Sequence, residues 1–521
     1  MNASDFLPAE FNVASWFVDR PVAEGRGKAP AFHCEDRILA YADVQELANR
    51  TGNALRELGV EMEHRVLMIC LDTPEFLGTF WGAIKIGAIP VPVNTLMRAV
   101  DYRYILDDSR ARVAVVSAPL LAEAGAALGG ARYLRHVLVA GGPAGPHLSF
   151  EDRVARGTGT LEAAPTSRDD VAFWLYSSGS TGRPKGAVHL HHDMVVSAET
   201  YAKQVLALRA TDKVYSAAKL FFAYGLGNAG YFPMSVGGQS VLYPHRPTPD
   251  AVFDLLTRHR PTVFFGVPTL YAAMLAAKDA DRRFDLSSLR LCVSAGEALP
   301  ADLYRRWHER FGVEIVDGIG TTETGHIFLS NRPGAVRPGS SGLPVPGYEC
   351  AIVDDEGRPV PTGEIGNLRV RGDSTMAYYW NKHEKTKETL FGSWIQTGDK
   401  YHRDAEGYFW YDGRGDDMLK VGGIWVSPIE VEATLIQHPA ILEAAVVGQE
   451  DDDRLVKPRA YVVLKDPAGA SETLAGELRA FVRDRIAPYK YPRWIDFVPE
   501  LPKTATGKIQ RFKLRQKAAD S

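Results

Sequence analysis

Short apolar runs alternate with helical segments along most of the chain. The runs are rich in β-branched and aromatic residues, which is typical of buried strands. The clearest are RVLMIC (residues 65–70), ARVAVVS (111–117), RHVLVAG (135–141), VAFWLYSS (171–178), TVFFGV (262–267) and LRLCVSA (289–295). The last two lead directly into the helical patterns PTLYAAMLAA and PADLYRRWHERFG. Such strand-then-helix units predict an α/β fold with parallel strands.

The most apolar long stretch, residues 76–93, is interrupted by Lys85, Pro90 and Pro92. A membrane span needs about 20 mostly apolar residues, so this stretch predicts a buried helix that runs into a strand. The amino terminus also lacks a basic start followed by an apolar core, which is the pattern of a secretory signal. We therefore expect a cytoplasmic protein with no membrane partner.

The pattern changes after about residue 330, where Pro and Gly crowd RPGAVRPGSSGLPVPG. Short strands follow as far as the segment GRGDD, and helix and strand then alternate again. We predict a large N-terminal domain at 1–415, with αβαβ layers and a β-rich subdomain, and a small α/β domain at 416–521.

Composition and charge narrow the function classes. Hydrophobic residues make up 45% of the 521 residues, charged residues make up 24%, and the formal net charge is -4. These values are typical of a globular protein with more than one domain and give no electrostatic reason to expect nucleic acid as a partner. The four cysteines form no C-x-x-C pair, so no structural metal is expected.

The segment YSSGSTGRPKG (residues 176–186) carries the strongest chemical signal. It follows a predicted strand and offers backbone N–H groups, hydroxyls and one cation, which are the donors that a polyphosphate needs. No G-K-[S/T] closes it, so it is not a Walker A loop. A surface linker would need neither the preceding strand nor the lysine. The candidate phosphate ligands are Ser177, Ser178, Gly179, Ser180, Thr181, Gly182 and Lys185.

With this loop, the chain resembles the acyl-adenylate-forming superfamily of acyl-CoA synthetases, firefly luciferase and peptide-synthetase adenylation domains. Further motifs of that superfamily follow along nearly the whole chain: SAGEALP, GIGTTET, QTGDK, GRGDD and PKTATGKIQR. The resemblance implies that Thr322, Glu323 and Lys508 are catalytic and that Glu323 holds Mg²⁺. It also implies ATP contacts from Gly296, Glu297, Ala298, Asp317, Gly318, Ile319, Thr321, Thr322, Asp399 and Arg414. Asp416 takes the position of a hinge, about which the small domain rotates.

The segments AAKLFFAYGLGN and HIFLSN closely resemble the benzoate–CoA ligases, a branch of the aryl-CoA ligases. The resemblance implies an aryl pocket lined by Ala223, Tyr224, Gly227, Ala295, His326 and Ile327. His326 either closes the far end of this pocket or hydrogen-bonds a ring substituent. In KVGGIWVSPIEVE, Gly422, Gly423 and Trp425 take the positions that contact coenzyme A.

The implied activity is that of an AMP-forming acid–thiol ligase, which converts benzoate or a substituted benzoate, ATP and coenzyme A to the aryl-CoA, AMP and pyrophosphate. ATP, Mg²⁺ and coenzyme A are the expected cofactor and co-substrates, and a homodimer is left open. A medium-chain aliphatic CoA ligase would share every nucleotide motif. A non-catalytic binding relative is disfavoured because Lys185, Glu323, Asp399 and Lys508 are all present.

Two other patterns are set aside. GLGNAG (residues 225–230) fits G-x-G-x-x-G but follows no clean strand and has no acidic residue about 20 positions later, so a dinucleotide fold is disfavoured. His189, His191 and His192 lack a carboxylate or cysteine at metal-ligand spacing, and we expect a loop or coenzyme contact for them.

Overall fold

The protein contains a nine-stranded mixed sheet at its centre. The computed structural model describes residues 2–177, 183–415, 417–421, 424–451, 456–486, 490–503 and 509–519. From one edge to the other, the strands of the central sheet are β16 (Leu343–Pro344), β15 (Ile327–Ser330), β14 (Ile315–Gly320), β13 (Leu291–Ser294), β12 (Val263–Gly266), β10 (Lys213–Ser216), β11 (Gln239–Leu242), β1 (Pro30–Cys34) and β2 (Arg37–Ala40). The strands from β14 to β1 are parallel, as the strand-then-helix pattern predicts.

A second sheet is parallel throughout. Its strands, in spatial order, are β4 (Ile89–Pro92), β3 (Arg65–Ile69), β5 (Val113–Ser117), β6 (His136–Ala140) and β7 (Leu148–Ser149). Strands β3, β5 and β6 confirm three of the apolar runs. The stretch at 76–93 contains most of helix α2 (Pro74–Lys85) and the whole of strand β4, both buried, as predicted.

A three-stranded antiparallel sheet carries the predicted phosphate loop. It is made of β8 (Val171–Ser177), β9 (Lys185–Leu190) and β19 (Tyr378–Tyr379), with β9 in the middle. The prediction of parallel strands is wrong for β8, because the chain turns back after the loop and pairs with itself. The loop therefore connects two adjacent antiparallel strands.

The later part of the chain forms smaller sheets, as the change of pattern after residue 330 predicts. A five-stranded antiparallel sheet contains β17 (Glu349–Val353), β18 (Gly366–Arg371), β20 (Leu390–Phe391), β21 (Trp394–Arg403) and β22 (Phe409–Arg414). Beyond it lie the pair β23 (Leu419–Val421) and β24 (Ile424–Val426), and a sheet of β25 (Ile441–Glu450), β26 (Val456–Leu464) and β27 (Trp494–Phe497).

Sixteen α-helices, together with short 3-10 and π segments, are found in the described residues. The other α-helices are α1 (Tyr41–Glu57), α3 (Ala99–Ser109), α4 (Leu121–Leu128), α5 (Phe150–Arg156), α6 (His191–Ser197), α7 (Ala223–Gly225), α8 (Phe232–Val236), α9 (Pro249–His259), α10 (Pro268–Ala276), α11 (Ala280–Arg283), α12 (Ala301–Phe311), α13 (His383–Thr389), α14 (Pro428–Ile436), α15 (Glu472–Arg483) and α16 (Arg511–Ala519). Within the described ranges, no helix is long and apolar enough to cross a membrane.

Candidate active site

One face of the three-stranded sheet is turned toward the short 3-10 helix Thr322–Thr324. In the strand register, Ser177 lies opposite Lys185, and Tyr379 lies opposite Ala187. Because side chains alternate along a strand, Ser177, Lys185, His189 and Tyr379 all lie on the same face. The predicted loop ligands Ser178, Gly179, Ser180, Thr181 and Gly182 lie outside the described residues, but the strands that enter and leave their loop bring Ser177 and Lys185 to this face.

The carboxylate of Glu323 is held by two hydroxyl groups of this sheet. Tyr379 donates from its hydroxyl to Glu323 Oε1 at 2.5 Å, and Ser177 Oγ donates to the same oxygen at 3.1 Å. Burial and the neighbouring Glu323 raise the pKa of Tyr379 well above its usual value, so this hydroxyl keeps its proton. Both bonds engage Oε1, so the second carboxylate oxygen is the one left to bind a ligand.

Lys185 supplies a partly desolvated cation next to Glu323. Its Nζ lies 4.9 Å from the centroid of the Tyr379 ring. Burial lowers the pKa of Lys185, Glu323 opposes this shift, and Lys385 and Arg414 add to it. An incoming polyphosphate would stabilise the charged form of this lysine.

Three consecutive backbone carbonyls anchor the 3-10 helix. The Thr322 carbonyl accepts from His189 Nε2 at 2.8 Å, and the Glu323 carbonyl accepts from the Met376 amide at 2.7 Å. The Thr324 carbonyl accepts from Ser374 Oγ at 2.7 Å. The predicted catalytic pair Thr322 and Glu323 therefore lies on a rigid turn, which favours preorganised chemistry.

Asp399 and Arg414, both predicted to bind the nucleotide, form an ion pair between neighbouring strands. They face each other in the register of β21 and β22, and Arg414 Nη1 donates to Asp399 Oδ1 at 2.9 Å. Asp399 is buried, whereas Arg414 is more exposed. The positive charge of Arg414 lowers the pKa of both Lys185 and Tyr379.

The predicted adenine segment follows the carboxyl end of a central strand. Ser294 ends β13 and pairs with Asp317 of β14, so residues 295–298 emerge beside Gly318 and Ile319. Gly296 has a φ of +93°, a backbone conformation that favours glycine. Burial raises the pKa of Asp317 to about 8, so this carboxyl is neutral near pH 7 and can donate as well as accept a hydrogen bond.

Two of the predicted aryl-pocket residues, Tyr224 and Gly227, adjoin a third, the buried His326. The ring centroid of His326 lies 4.4 Å from that of Phe232, 5.4 Å from Tyr201 and 5.7 Å from Tyr224. A Cβ added to Gly227 would lie 2.4 Å from His326 Cδ2, so only glycine fits there. Ala223, Ala295 and Ile327 are buried as well.

The hydrogen bonds of His326 fix its tautomer. Its Nε2 lies 3.1 Å from Asn228 Oδ1 and 3.3 Å from the Tyr224 carbonyl, which both accept, so Nε2 carries the proton. Burial lowers the pKa of His326 to about 3, which keeps the ring neutral. The buried Nδ1 is then an acceptor, and no group in the described part of the chain bonds to it.

Several predicted site residues lie outside the described residues: Lys508, Asp416, Gly422 and Gly423. Trp425 has its backbone in β24, but its side chain is also outside the described part. The roles of these residues remain predictions.

Tyr379 and His189 are two site residues that the sequence analysis misses. Tyr379 is 56 residues from Glu323 along the chain, and no local motif connects them. A signal existed for His189, because Asp193 follows it at i+4 and its Oδ2 lies 2.7 Å from His189 Nδ1.

The expectation of a loop or coenzyme contact for the three histidines is therefore wrong. His189 is buried in β9, while His191 Nδ1 accepts from the Val13 amide and His192 Nδ1 lies 3.0 Å from the Arg168 carbonyl. All three serve internal hydrogen bonds.

The architecture and the motifs have counterparts in known proteins. The profile of the AMP-binding enzyme family matches residues 20–380, and that of the AMP-binding enzyme C-terminal domain matches residues 430–508. The chain therefore belongs to the AMP-binding enzyme family. ATP, Mg²⁺ and coenzyme A, as predicted, are the cofactor and co-substrates of the AMP-binding ligases in this family.

Whole-length relatives narrow the class further. The chain is 53% identical to a benzoate–CoA ligase of Thauera aromatica, over 98% of the chain and 96% of the relative. A crystal structure of an anthranilate–CoA ligase with anthranoyl-AMP is 49% identical, with a TM-score of 0.95, and covers 100% of this chain and 99% of that one. A benzoate–CoA ligase structure from Burkholderia xenovorans is also 49% identical, with a TM-score of 0.90, over 97% and 100% of the two chains. These similarities favour the predicted aryl-CoA ligase over the aliphatic alternative.

Proposed function

We propose that the protein activates benzoate or a substituted benzoate as aroyl-AMP and transfers the aroyl group to coenzyme A. The observation that carries this proposal is the convergence of Ser177, Lys185 and Tyr379 on the Glu323 turn, beside a cluster of aromatic side chains around His326. The relatives that act on benzoate and anthranilate support the same substrate class.

In the first half-reaction, a carboxylate oxygen of the aryl acid attacks the α-phosphorus of ATP and pyrophosphate leaves. Lys185 and the Thr322 hydroxyl donate to phosphate oxygens, and Asp399 accepts from the ribose hydroxyls. Lys508 is proposed to donate to the reacting carboxylate.

Glu323 is a suitable ligand for the metal of this reaction. Mg²⁺ usually keeps several waters and binds one or two carboxylates together with substrate phosphates. Within the described ranges, no group of three or more His, Cys, Asp or Glu side chains forms a metal cage, so a single carboxylate at a phosphate site is the arrangement that fits. When bound there, Mg²⁺ would neutralise part of the phosphate charge.

In the second half-reaction, the thiol of coenzyme A attacks the aroyl carbonyl, AMP leaves and the thiol proton is released. We propose that residues 416–521 rotate about Asp416 relative to residues 1–415 between the two steps. This motion would withdraw Lys508 and present Gly422, Gly423 and Trp425 to the coenzyme arm.

The pocket supports a flat aromatic acid. Tyr224, Phe232 and His326 offer ring surfaces, and Gly227 leaves their close packing unobstructed. The free Nδ1 of His326 is an acceptor, so we propose that a ring hydroxyl or amino group is tolerated where it can donate to this atom.

A substrate panel tests the proposal. Pyrophosphate release is measured with benzoate, 2-aminobenzoate, 3- and 4-hydroxybenzoate and hexanoate, each with and without coenzyme A. We expect turnover with benzoate and at least one substituted benzoate and only weak turnover with hexanoate. A preference for hexanoate would establish the aliphatic alternative.

We also infer that the protein acts in the cytoplasm, where ATP and coenzyme A are supplied. We further propose that the protein forms a homodimer, and sedimentation equilibrium of the purified protein tests this proposal.

A further inference from the structure

Three different chemical groups donate hydrogen bonds to the backbone carbonyls of the Thr322–Thr324 turn. Met376 contributes a backbone amide and Ser374 a hydroxyl, whereas His189 contributes a ring nitrogen. His189 lies four residues after Lys185 on the same strand and the same face. It therefore couples the position of the turn to the strand that carries the phosphate-binding cation.

The surroundings of His189 leave its ring no freedom to rotate. The side chain is fully buried and stacks on Phe173, with ring centroids 5.0 Å apart and an interplanar angle of 12°. Its Nδ1 lies 2.7 Å from Asp193 Oδ2, an oxygen that also accepts from the Leu190 amide at 3.1 Å. Asp193 is itself buried, so the carboxyl is a fixed orienting group.

The bond to Thr322 requires a hydrogen on Nε2 of His189, and the short contact with Asp193 requires another hydrogen between Nδ1 and Oδ2. The Thr322 carbonyl can only accept, so Nε2 must carry the hydrogen that lies between them. Asp193 engages the opposite nitrogen and holds the ring in the orientation that directs Nε2–H at this carbonyl. Hydrogen bonds that orient a metal ligand typically change metal affinity or activity by about 10- to 100-fold when they are removed, and this one acts on the residue next to the proposed ligand Glu323.

We propose that His189, oriented by Asp193, is a positioning residue that fixes the Thr322–Glu323 turn for binding Mg·ATP. The proposal rests on the proposed function, in which Thr322 contacts phosphate and Glu323 holds the metal. We expect the proposed aryl pocket to depend less on His189. The Thr324 carbonyl accepts a separate hydrogen bond from Ser374, and the Thr324 hydroxyl donates to the His326 carbonyl at 2.8 Å.

Two conservative variants distinguish the contribution of Nε2 from that of Nδ1. In His189→Gln, the amide nitrogen can replace Nε2 and donate to Thr322, whereas in His189→Asn, it can reach only toward Asp193. We expect His189→Asn to raise the KM for Mg·ATP by about tenfold or more, and His189→Gln to stay within about threefold of wild type. Neither variant should change the KM for benzoate, or the rate of thioester formation from synthetic benzoyl-AMP, by more than about threefold.

His191→Gln is the matched control. It removes another buried histidine hydrogen bond of this region, in which His191 Nδ1 accepts from the Val13 amide, and no described side-chain contact joins His191 to Asp193 or to the turn. We expect it to lower the thermal unfolding temperature about as much as His189→Asn does, with an unchanged KM for Mg·ATP. If His189→Asn does not fold, Asp193→Asn tests the same link and should raise the KM for Mg·ATP several-fold.

The outcomes distinguish the two proposals. A folded His189→Asn enzyme with an unchanged KM for Mg·ATP, beside an active wild type, would overturn the positioning role alone. Equal rises in the KM values for Mg·ATP and benzoate would also overturn it, because they would indicate general damage. A wild type without acid-dependent pyrophosphate release would overturn the proposed function and the positioning role together.

Discussion

At the scale of single residues, the candidate site depends on how one carboxylate is held. Glu323 could be predicted from its motif, but its partners could not, because Ser177 and Tyr379 lie 146 and 56 residues away. Both hydroxyls donate to Oε1, which restrains the side chain and leaves Oε2 for the proposed metal. The motif therefore indicates the proposed metal ligand, and only the fold explains its orientation.

Tyr379→Phe should weaken this restraint. We expect the Mg²⁺ concentration that gives half-maximal activity to rise about tenfold, since the carboxylate loses its shorter hydrogen bond. The loss of a buried hydrogen bond to a charged group should also cost about 1.5–3 kcal/mol of unfolding free energy. Mg²⁺ titration of pyrophosphate release and denaturant unfolding measure the two effects.

Tyr378→Phe is the control for this change. Tyr378 precedes Tyr379 on β19, but it is exposed and points to the other face of the strand. It should leave both quantities unchanged. An unaltered Mg²⁺ requirement in Tyr379→Phe would contradict the role given to Tyr379.

At the scale of elements, the apolar runs predicted strand pairing correctly where a helix connects two successive strands. β12 and β13 are parallel neighbours, as TVFFGV and LRLCVSA indicate. The sequence of β8 is an apolar run of the same type, yet β8 pairs antiparallel with β9. The direction of pairing depends on the course of the chain after the loop, which the apolar pattern does not indicate. The i+4 spacing of His189 and Asp193 would predict a contact if one helix held both residues, but His189 lies near the end of a strand and Asp193 lies in a helix, so the spacing alone was not enough.

The π segment Leu226–Tyr231 offers a test of the proposed aryl pocket. In Gly227→Ala, the new methyl group would overlap the His326 ring and displace it. We expect the KM for benzoate to rise and the unfolding free energy to fall by about 1–3 kcal/mol, with little change in the KM for ATP. Steady-state kinetics with each substrate varied in turn measure this selectivity.

Gly230→Ala in the same segment is the matched control, since its added Cβ would meet Leu226 Cδ1 at an ordinary 3.4 Å. It should bind benzoate as the wild type does. Equal effects of the two substitutions would contradict the placement of His326 in the aryl pocket.

At the scale of the whole molecule, the account requires two reactions from one chain. The cation Lys185, the turn at Thr322–Thr324 and the ion pair of Asp399 and Arg414 all belong to the described part of the chain before residue 416. The proposed contributions of Lys508 and Asp416 come from the far end of the chain, and the division at residue 415/416 remains a proposal. The central proposal is that an aroyl-AMP forms before coenzyme A takes part in the reaction.

Exchange of labelled pyrophosphate into ATP, measured without coenzyme A, tests that claim most directly. The account predicts exchange that requires both benzoate and Mg²⁺ in the wild type and that is lost in Lys508→Ala, while Lys508→Ala still forms benzoyl-CoA from synthetic benzoyl-AMP. Absence of exchange in the wild type, or exchange that proceeds equally well without an acid, would contradict it.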